Sequence, residues 1–394
     1  MDGIADRLAA WSYELVPSAD DLALADRALV DTVAVTLAAR RHPLTAQVDV
    51  FGEAGAWATL AHALDFDDLH SGSTTHVSAV CVPATLHAGG GAAGYLRAAG
   101  VMARLGEHLG WDHYTRGWHA TCTAGAIAAA VAAGVAKDTD PDALATAIAL
   151  AVPASGGVQR AFGTDAKPLQ VGMAVDAGVR AAALAARGAS ADPTAVDQWA
   201  ELVTGRAEPI KTEPAPAVPG GLAVKLFPCC YALQRPIHAV RSLAPIRAED
   251  VQHIRVRTST ASVTPLIHHA PTTGAQGKFS LEYGVAAALL DGRPGLRSFT
   301  DDAVRRPDAR RLMDMIEVQR VDEGTGLLDG DIRLTVTVDG EDRYAQLADI
   351  PGSPTCPPAD QELAEKLHDC LGDDAIDAGG LDWSTAAASL RRLL

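Results

Sequence analysis

The amino-acid sequence predicts a mainly α protein, with a large all-helical domain built from both chain ends and an inserted, smaller α+β lid domain. Apolar residues recur at helical spacing through roughly the first 220 residues and again in the last 36. Between these regions apolar and polar residues alternate as in half-buried strands, and proline-rich segments at 212–221 and 351–358 mark the changes. We therefore assign 1–223 and 356–394 to the helical domain and 224–355 to the lid domain.

The predicted helices of the first domain each carry an apolar face. The segment 20–40 places Leu22, Leu29 and Val33 at helical spacing. Most of these helices begin near Thr or Asp and end near Gly or Lys, as helix caps and the helix dipole favour. The others are predicted at 123–137, 142–152, 171–187 and 194–205 and, near the C-terminus, at 360–371 and 384–394.

The predicted lid domain contains the strand signals. Residues 253–260 and 331–338 alternate between apolar and polar side chains, and Asp339-Gly340 provides a tight hairpin turn into a third strand at 343–347. Strands combined with helices in this order predict an α+β unit. Its helices are predicted between the first two strands, at 283–290 and 304–315.

Composition and charge restrict the possible partners. The chain has 394 residues, of which 48% are hydrophobic and 21% charged, the balance of a folded globular protein. Its 49 acidic residues against 33 basic ones give a formal charge of −16, so we expect neither nucleic acid nor a membrane as partner. The six cysteines form no CxxC pair, and the start MDGIADRL lacks signal-peptide features, so we expect reduced thiols and a cytoplasmic location.

The first candidate cluster comprises Asp65, Asp67, Asp68 and His70, followed by His76. Three carboxylates and two imidazoles within twelve residues can hold a metal, orient a general base or cap a helix. No zinc motif such as HExxH is present, and a magnesium motif DDxxD is not completed. His76 is the sharper candidate for proton transfer, because an imidazole exchanges protons near pH 7.

Two further polar clusters lie at the starts of predicted helices. His119 precedes an alanine-rich helix, where Thr121 or Thr123 can act as the N-cap and the first N–H groups can bind a carboxylate. Lys167 stands out because the chain has only six lysines, and lysine is a compact charge that titrates when buried. A histidine satisfied by a loop carbonyl and a surface lysine remain the ordinary alternatives.

Two clusters fall in the predicted lid domain: Lys225 before the pair Cys229-Cys230, and Tyr283 in KFSLEY at 278–283. Tyr283 can donate a proton or bind a carboxylate, or lie in the core with its hydroxyl satisfied. The cysteines are more typical of small buried hydrophobes than of thiol chemistry. The glycines at 89–94 fit GxGxxG, but no βαβ unit surrounds them, so we do not expect dinucleotide binding.

Taken in order, five stretches of the chain resemble the MmgE/PrpD family, which includes 2-methylcitrate dehydratases, cis-aconitate decarboxylases and iminodisuccinate epimerases. Their order makes the resemblance specific for the family but not for one reaction within it. The stretches are AHALDFDDLH with TTH (61–76), GWHATCTAGAIAAA (117–130), FGTDAKPLQVGMA (162–174), KLFPCC (225–230) and KFSLEYGVAAALLDG (278–292).

The resemblance implies a two-domain homodimer that needs neither a metal nor an organic cofactor, with its active site between the domains. It also implies a small carboxylate as substrate and proton transfer at the carbon next to that carboxylate. By position, the implied catalytic residues are His76, His119, Lys167 and Tyr283, and the implied substrate-binding residues are Asp65, Leu69, Thr121, Gln234 and Lys225.

The sequence departs from the family pattern at several of these positions. Leu69 stands where threonine is common, and Gln234 and Gln170 stand where histidine is usual. Val77 and Ala120 replace the proline that usually follows each motif histidine. Because a lost hydroxyl and a lost imidazole leave fewer groups to hold several carboxylates, we expect a less charged and larger acid than a citrate-like tricarboxylate.

The function predicted from these features is a cofactor-independent lyase, a dehydratase that acts on a small organic acid. An isomerase or epimerase, or a decarboxylase, would use the same residues with a different fate of the intermediate. Two other classes stay open. One is a non-catalytic homologue that binds a ligand, because of Leu69 and Gln234, and the other is a metal-dependent helical enzyme that uses Asp65, Asp67 and Asp68.

Overall fold

The computed structural model describes residues 3–322, 326, 329–372 and 380–394, and it confirms a mainly α protein. The helices predicted in its N-terminal half are present within a few residues of their predicted ends. The helices are α1 (Ile4–Glu14), α2 (Ala19–Ala38), α3 (Glu53–Ala63), α4 (Val77–Ala88), α5 (Ala92–Thr115), α6 (Ala120–Val135), α7 (Pro141–Ala151), α8 (Ala166–Ala185), α9 (Ala195–Thr204), α10 (Gln234–Ser242), α11 (Gly274–Gly277), α12 (Leu281–Asp291), α13 (Asp301–Arg305), α14 (Pro307–Asp314), α15 (Asp360–Leu371) and α16 (Ala386–Leu393).

A four-stranded mixed sheet lies among the later helices. Its strands are β1 (Val251–Ser259), β2 (Ile316–Val321), β3 (Ile332–Val338) and β4 (Glu341–Leu347), in the order β2-β1-β3-β4. β1 pairs in parallel with β2 and antiparallel with β3, and β3 pairs antiparallel with β4. Asp339 and Gly340 both have positive φ, at 52° and 79°, which confirms the predicted tight hairpin turn.

The helix predicted at 304–315 is wrong in one respect, because it is broken into α13 and α14. Arg306 between them has an extended ψ of 134°. The proline at position 307 disfavours the helical conformation of the residue before it, and then starts α14 at a position where its missing N–H costs nothing. β2, which follows, was not among the predicted strands. It lies at the sheet edge and none of its residues is fully buried, which explains the weak signal.

Buried apolar residues form two main clusters. The first, here called the helical core, joins residues of α1–α9 with Leu371 and Leu390, so apolar residues near both chain ends share one cluster. The second, the mixed core, joins the sheet with α10, α12 and α14 and with Phe162 from the loop before α8. The boundaries of the two predicted domains stay a prediction. In the described ranges, no helix combines the length and apolarity needed to cross a lipid bilayer.

Small residues bring α3, α6 and α8 into close contact. Every residue of α6 is buried, and alanine dominates its sequence. Gly178 of α8 lies against the backbone of α6 at Ala126, and Gly172 lies against Gly55 and Thr59 of α3. Since a side chain at either glycine of α8 would collide with these neighbours, the contacts determine where the first turn of α8 lies relative to α3 and α6.

We expect the Gly178→Ala substitution to destabilise the protein by about 1–3 kcal/mol, the usual effect of forcing extra atoms into a packed core. The added Cβ would collide with the carbonyl oxygen of Ala126 and lie 2.8 Å from the Cβ of Ala129. Urea denaturation measures the change in the free energy of unfolding.

Gly94→Ala in α5 is the matched control. A Cβ at Gly94 would approach nothing closer than 3.7 Å, which is ordinary contact. Because alanine favours a helix more than glycine does, this variant should be unchanged or stabilised by up to about 1 kcal/mol. Equal stability of the two variants would contradict the close packing of α6 on α8.

Candidate active site

A largely buried cavity lies between the helical core and the mixed core. The space between its walls is about 360 Å³, a figure that includes the part open to solvent. The residues that line the cavity come from two stretches of the chain, 65–167 and 230–279, and many of them are polar. The lining residues are Asp65, Leu69, Thr74, His76, Tyr114, His119, Thr121, Phe162, Lys167, Cys230, Tyr231 and Phe279.

Four helix ends carry ionisable groups to the cavity or just beneath it. α3 contributes His62 in its last turn, and α8 contributes Lys167 in its first turn. His76 and His119 directly precede α4 and α6. The partial positive charge at the N-termini of α4, α6 and α8 favours an anionic ligand in this region.

His62, Asp67 and His76 form one polar group, in which His62 is hydrogen-bonded to Asp67 and His76 lies beside the same oxygen without a hydrogen bond from its Nδ1. Asp67 Oδ2 lies 2.6 Å from Nδ1 of His62 and 3.1 Å from Nδ1 of His76. The centroids of the two imidazole rings are 4.7 Å apart. The His62 side chain is completely enclosed, whereas that of His76 is 12% exposed. Asp67 therefore supports two imidazoles through a single carboxylate oxygen.

Asp65 is held by two buried lysines from distant parts of the chain. Its Oδ1 lies 2.9 Å from Nζ of Lys167 and 3.0 Å from Nζ of Lys225, which also donates to the Asp65 carbonyl. Nζ of Lys167 lies 2.7 Å from Nε2 of His62. The ion cluster around Asp65 is thus continuous with the group around Asp67.

Burial keeps the three imidazoles neutral. It lowers the pKa of His62, lowers the pKa of His76 to about 3, and holds the pKa of His119 well below its ordinary value. For His62 and His76 the nearby Asp67 opposes this effect without overcoming it. At neutral pH each imidazole therefore has one nitrogen with a proton and one with a lone pair.

The two carboxylates are ionised. Burial by itself would raise the pKa of Asp65 and of Asp67. The ammonium groups of Lys167 and Lys225 outweigh burial for Asp65, and the short hydrogen bond from His62 favours the ionised form of Asp67, so both pKa values lie below the ordinary range. Burial lowers the pKa of Lys278 to about 8, which still leaves it mostly charged at pH 7. Together with Lys167 and Lys225, three ammonium groups face two carboxylates, and this excess of positive charge favours an anionic ligand.

Some lining atoms lack a protein partner. Asp65 Oδ2, His119 Nε2 and the hydroxyl oxygen of Tyr231 are buried without a hydrogen bond to any described residue. Leaving such groups unpaired costs about 1–3 kcal/mol each. Since these residues all line the cavity, a ligand with both a donor and an acceptor is the natural partner for them.

The loop after α3 holds Asp65 with a φ of 53°, a left-handed conformation that aspartate tolerates better than most non-glycine residues. Lys366 of α15 supports this loop from behind. Its ammonium donates to the carbonyl of Phe66 at 2.9 Å and pairs with Asp31 of α2 at 2.5 Å. α15 therefore holds in place the loop that carries Asp65 and Asp67.

His62, Asp67 and His76 are also the kinds of group that bind metals, and their donor atoms lie within 4.8 Å of one another. The 2.6 Å between His62 Nδ1 and Asp67 Oδ2 is a hydrogen-bond distance, and the ammonium of Lys167 lies against the other nitrogen of His62. A positive charge in contact with a ligand repels a divalent cation. We therefore assign these groups to a hydrogen-bonded network, and the expectation of no metal stays a prediction.

Models of two family domains match the chain. The MmgE/PrpD N-terminal domain matches residues 46–202, and the MmgE/PrpD C-terminal domain matches residues 227–376. Together the matches cover most of the chain. The protein belongs to the MmgE/PrpD family.

Curated relatives of this MmgE/PrpD protein include a cis-aconitate decarboxylase of Aspergillus terreus and a second protein of that name from Aspergillus terreus strain NIH 2624 / FGSC A1156. Each is 26% identical to the chain over 317 residues. The match covers 69% of this chain and 65% of each relative, so it spans a little less than two thirds of their length.

Most of the site residues expected from the family resemblance lie at the cavity. Lys225 lies directly beneath it, completely buried and bonded to Asp65. Their roles in binding and catalysis stay predictions. Those that line the cavity are Asp65, Leu69, His76, His119, Thr121 and Lys167.

Tyr283 and Gln234 lie elsewhere, contrary to the expectation that they contribute to the site. The Tyr283 hydroxyl donates to the carbonyl of Ser298 inside the mixed core, and burial raises its pKa to about 12. The Gln234 amide accepts from the backbone N–H groups of Leu226 and Phe227 and donates to the Phe227 carbonyl. Because both side chains have their hydrogen bonds satisfied within this core, neither is among the lining residues.

Sequence reasoning missed His62 and named Asp67 only as one of a cluster that could hold a metal, orient a general base or cap a helix. A signal existed in the stretch AHALDFDDLH, because His62 is a polar residue in the last turn of a mostly apolar α3. The aromatic lining residues gave no such signal. Tyr114, for example, follows a break in α5 at Gly110, where φ is 74°, and only the folded chain shows that this break brings it to the cavity.

We expect the stability of this MmgE/PrpD protein to fall as the pH drops from 6.5 towards 5. An imidazole whose pKa is lowered by burial binds a proton below about pH 6.5 in the unfolded chain but not in the folded protein, so acid favours unfolding. Each such group contributes up to about 1.4 kcal/mol per pH unit. Urea denaturation at pH 7, 6 and 5 measures this slope.

His119→Gln removes one buried imidazole and should reduce the slope. His253→Gln, which removes an imidazole far from the cavity whose side chain is 43% exposed, is the matched control for the loss of a histidine. The same free energy of unfolding at pH 7 and pH 5 in the wild type would contradict the neutral state of the buried imidazoles.

Proposed function

We propose that this protein is a lyase, and more specifically a dehydratase that removes water from a small hydroxy acid. The observation that carries the proposal is Asp65 Oδ2, a buried and ionised acceptor at the cavity that has no donor among the described residues. A substrate hydroxyl group would supply that donor, whereas an acid that carries only carboxylates would not. Membership of the MmgE/PrpD family supports an enzyme of this general class.

In this proposal His119 binds the substrate carboxylate. Its Nδ1 lies 3.1 Å from Sγ of Cys122, and burial raises the pKa of that thiol so that it stays protonated. The S–H group then donates to Nδ1, and the ring proton resides on the unpartnered Nε2, which can donate to a carboxylate. The N-terminus of α6, which begins at the next residue, adds favourable partial charge.

His76 is the proposed base. If its Nδ1–H donates to Asp67, its Nε2 presents a lone pair to the cavity that it lines. The imidazole is neutral before binding, and the negative charge of a bound carboxylate raises its pKa towards the working range. Asp67 then stabilises the imidazolium that forms when His76 accepts a proton.

Lys167 is the proposed acid. His76 takes the proton from the carbon next to the carboxylate, and the electrons of that C–H bond form a C=C bond while the bond from the neighbouring carbon to the hydroxyl oxygen breaks. Lys167 gives a proton to this oxygen, which leaves as water. Asp65, paired with Lys167, accepts a hydrogen bond from the hydroxyl and keeps it next to the ammonium before the reaction.

The lining favours a substrate with few charges. Among the residues that the structure describes, Lys167 is the only lysine that lines the cavity, and its charge is balanced by Asp65. Lys225 is occupied by Asp65, and Lys278 donates to the carbonyl of Leu64. Apolar and aromatic side chains cover the remaining surface, among them Leu69, Phe162 and Phe279.

These features support a monocarboxylate rather than a citrate-like acid as the substrate. The size of the acid stays a prediction from the sequence.

A decarboxylase is the second candidate, because the curated relatives of this chain are named cis-aconitate decarboxylases. The same base, acid and carboxylate-binding groups could serve loss of CO2. A homodimer, a cytoplasmic location and independence from metals and organic cofactors are further proposals that rest on the family resemblance and the sequence.

We expect His76→Ala, His119→Ala and Lys167→Ala each to lower kcat/KM by at least about tenfold, equivalent to about 1.4 kcal/mol of transition-state stabilisation. Each removes a group to which the proposal gives a chemical role. Steady-state kinetics with a β-hydroxy monocarboxylic acid, followed by the absorbance of the unsaturated product, measure the effect.

Tyr283→Phe is the control, because it removes a hydroxyl that bonds within the mixed core. Its rate should stay within about threefold of wild type, well short of the tenfold loss that marks a lost catalytic group. Wild-type rates for all three alanine variants, or a large loss for Tyr283→Phe alone, would show that the catalytic groups are assigned wrongly.

We expect β-hydroxy monocarboxylic acids to lose water and tricarboxylates to react at least about tenfold more slowly, because the cavity has one lining cation to offer. A panel of both kinds of acid, with the unsaturated product and CO2 measured in parallel, tests this. Rapid turnover of tricarboxylates would overturn the substrate class, and CO2 release without water loss would favour the decarboxylase.

A further inference from the structure

We propose that His62 is a positioning residue that aims the ammonium of Lys167 at the substrate and shares Asp67 with His76, so that it couples the acid and the base of the site. The inference rests on the proposed function for the roles of Lys167 and His76. It adds a residue that does not itself line the cavity.

Both ring nitrogens of His62 have short hydrogen-bond contacts. Nδ1 lies 2.6 Å from Asp67 Oδ2, and Nε2 lies 2.7 Å from Nζ of Lys167. An ionised carboxylate can only accept and an ammonium can only donate. A neutral His62 satisfies both partners in one way, with its proton on Nδ1 and its lone pair on Nε2.

This arrangement leaves Lys167 with one N–H group to spare. Of its three N–H groups, one faces His62 and one faces Asp65 at 2.9 Å. In the described chain the third has no acceptor. Nζ lies 5.5 Å from the ring centroids of Phe162 and Phe279, both of which line the cavity. His62 thereby restricts the direction in which Lys167 can deliver a proton.

His62 also separates two charges that would otherwise attract each other. Without a neutral ring between them, the ammonium of Lys167 could move towards Asp67 and form a direct ion pair. That pairing would draw Lys167 away from Asp65 and weaken the support that Asp67 gives to His76. With His62 present, Asp67 Oδ2 accepts a hydrogen bond from His62 and lies 3.1 Å from Nδ1 of His76, so a change at one imidazole alters the electrostatic field at the other.

The hydrogen-bonded chain from Asp67 through His62 to Lys167 is here called the bridge. Other ionisable groups surround the bridge and contribute to the electrostatic field at it. Besides Asp67 and His62, these groups come from the loop after α3, from the residue before α6, from the segment after the proline-rich linker and from the segment before α12. They are Asp65, His119, Lys225 and Lys278.

The experiment compares His62→Leu with His62→Gln. Leucine fills the space but supplies no hydrogen bond, whereas one amide can donate to Asp67 through its nitrogen and accept from Lys167 through its oxygen. We expect kcat to fall by about tenfold to a hundredfold in His62→Leu and to recover to within about fivefold of wild type in His62→Gln. Near-ultraviolet circular dichroism shows whether each variant is folded.

The pH profile separates positioning from a merely structural role. When His62 no longer donates to Asp67, that carboxylate interacts more strongly with His76, so the acidic limb of kcat/KM should move to higher pH in His62→Leu. His62→Gln should restore the wild-type limb. Equal kcat per folded molecule and an unchanged profile in His62→Leu would overturn the proposal.

Nuclear magnetic resonance of protein labelled with ¹⁵N-histidine gives a test without substrate. The ring nitrogens of His62 should show the neutral tautomer with the proton on Nδ1, unchanged between pH 5 and 8. The resonances of His76 should titrate at higher pH in His62→Leu than in wild type. A proton on Nε2 of His62, or titration of its ring in this range, would overturn the inference even if the enzyme were a dehydratase.

Should His62→Leu prove unfolded, the folded His62→Gln variant and the wild-type tautomer still decide the question. The tautomer of His62 and the titration of His76 can be as expected while no hydroxy acid is dehydrated. In that case the proposed function is wrong and the positioning role of His62 is supported.

Discussion

The site depends on the burial of one carboxylate, that of Asp65, between Lys167 and Lys225. Taking an ion out of water costs several kcal/mol, so each of these charges is tolerated only because the others are in contact with it. The pairing joins the loop after α3, the first turn of α8 and the segment that follows the proline-rich linker. Because both lysines bind Oδ1, the second oxygen of Asp65 is left for a ligand.

Glycine and alanine make this concentration of polar groups possible. α8 lies between α3 and α6 at nearly backbone contact, at Gly172 and Gly178, so His62, His119 and Lys167 at the ends of these helices come within hydrogen-bond or ring-stacking distance of a neighbour. Three helix N-termini then lie side by side, and their partial positive charges add to the excess of lysines. An acidic protein of charge −16 thus concentrates positive charge at one place in its interior.

Much of the fold and of the candidate site could be predicted from the sequence. The helical periodicity, the hairpin at Asp339 and the polar clusters around His76, His119 and Lys167 all lie in short stretches whose local pattern is informative. Tyr283 and Gln234 show where such reasoning stops. Their residue types suit a site, but their hydrogen bonds are made to Ser298 and to the backbone at Leu226 and Phe227, and those partners are chosen by the packing of the mixed core.

By itself, the sequence determined the mainly helical class, the strands β1, β3 and β4 and the presence of rare polar residues at the ends of apolar helices, because periodicity, caps and turns are properties of neighbouring residues. Only the tertiary structure decided which of those residues meet. The bridge from Asp67 through His62 to Lys167 spans about a hundred residues of chain, and the proton positions within it follow from partners that are close in space rather than along the chain.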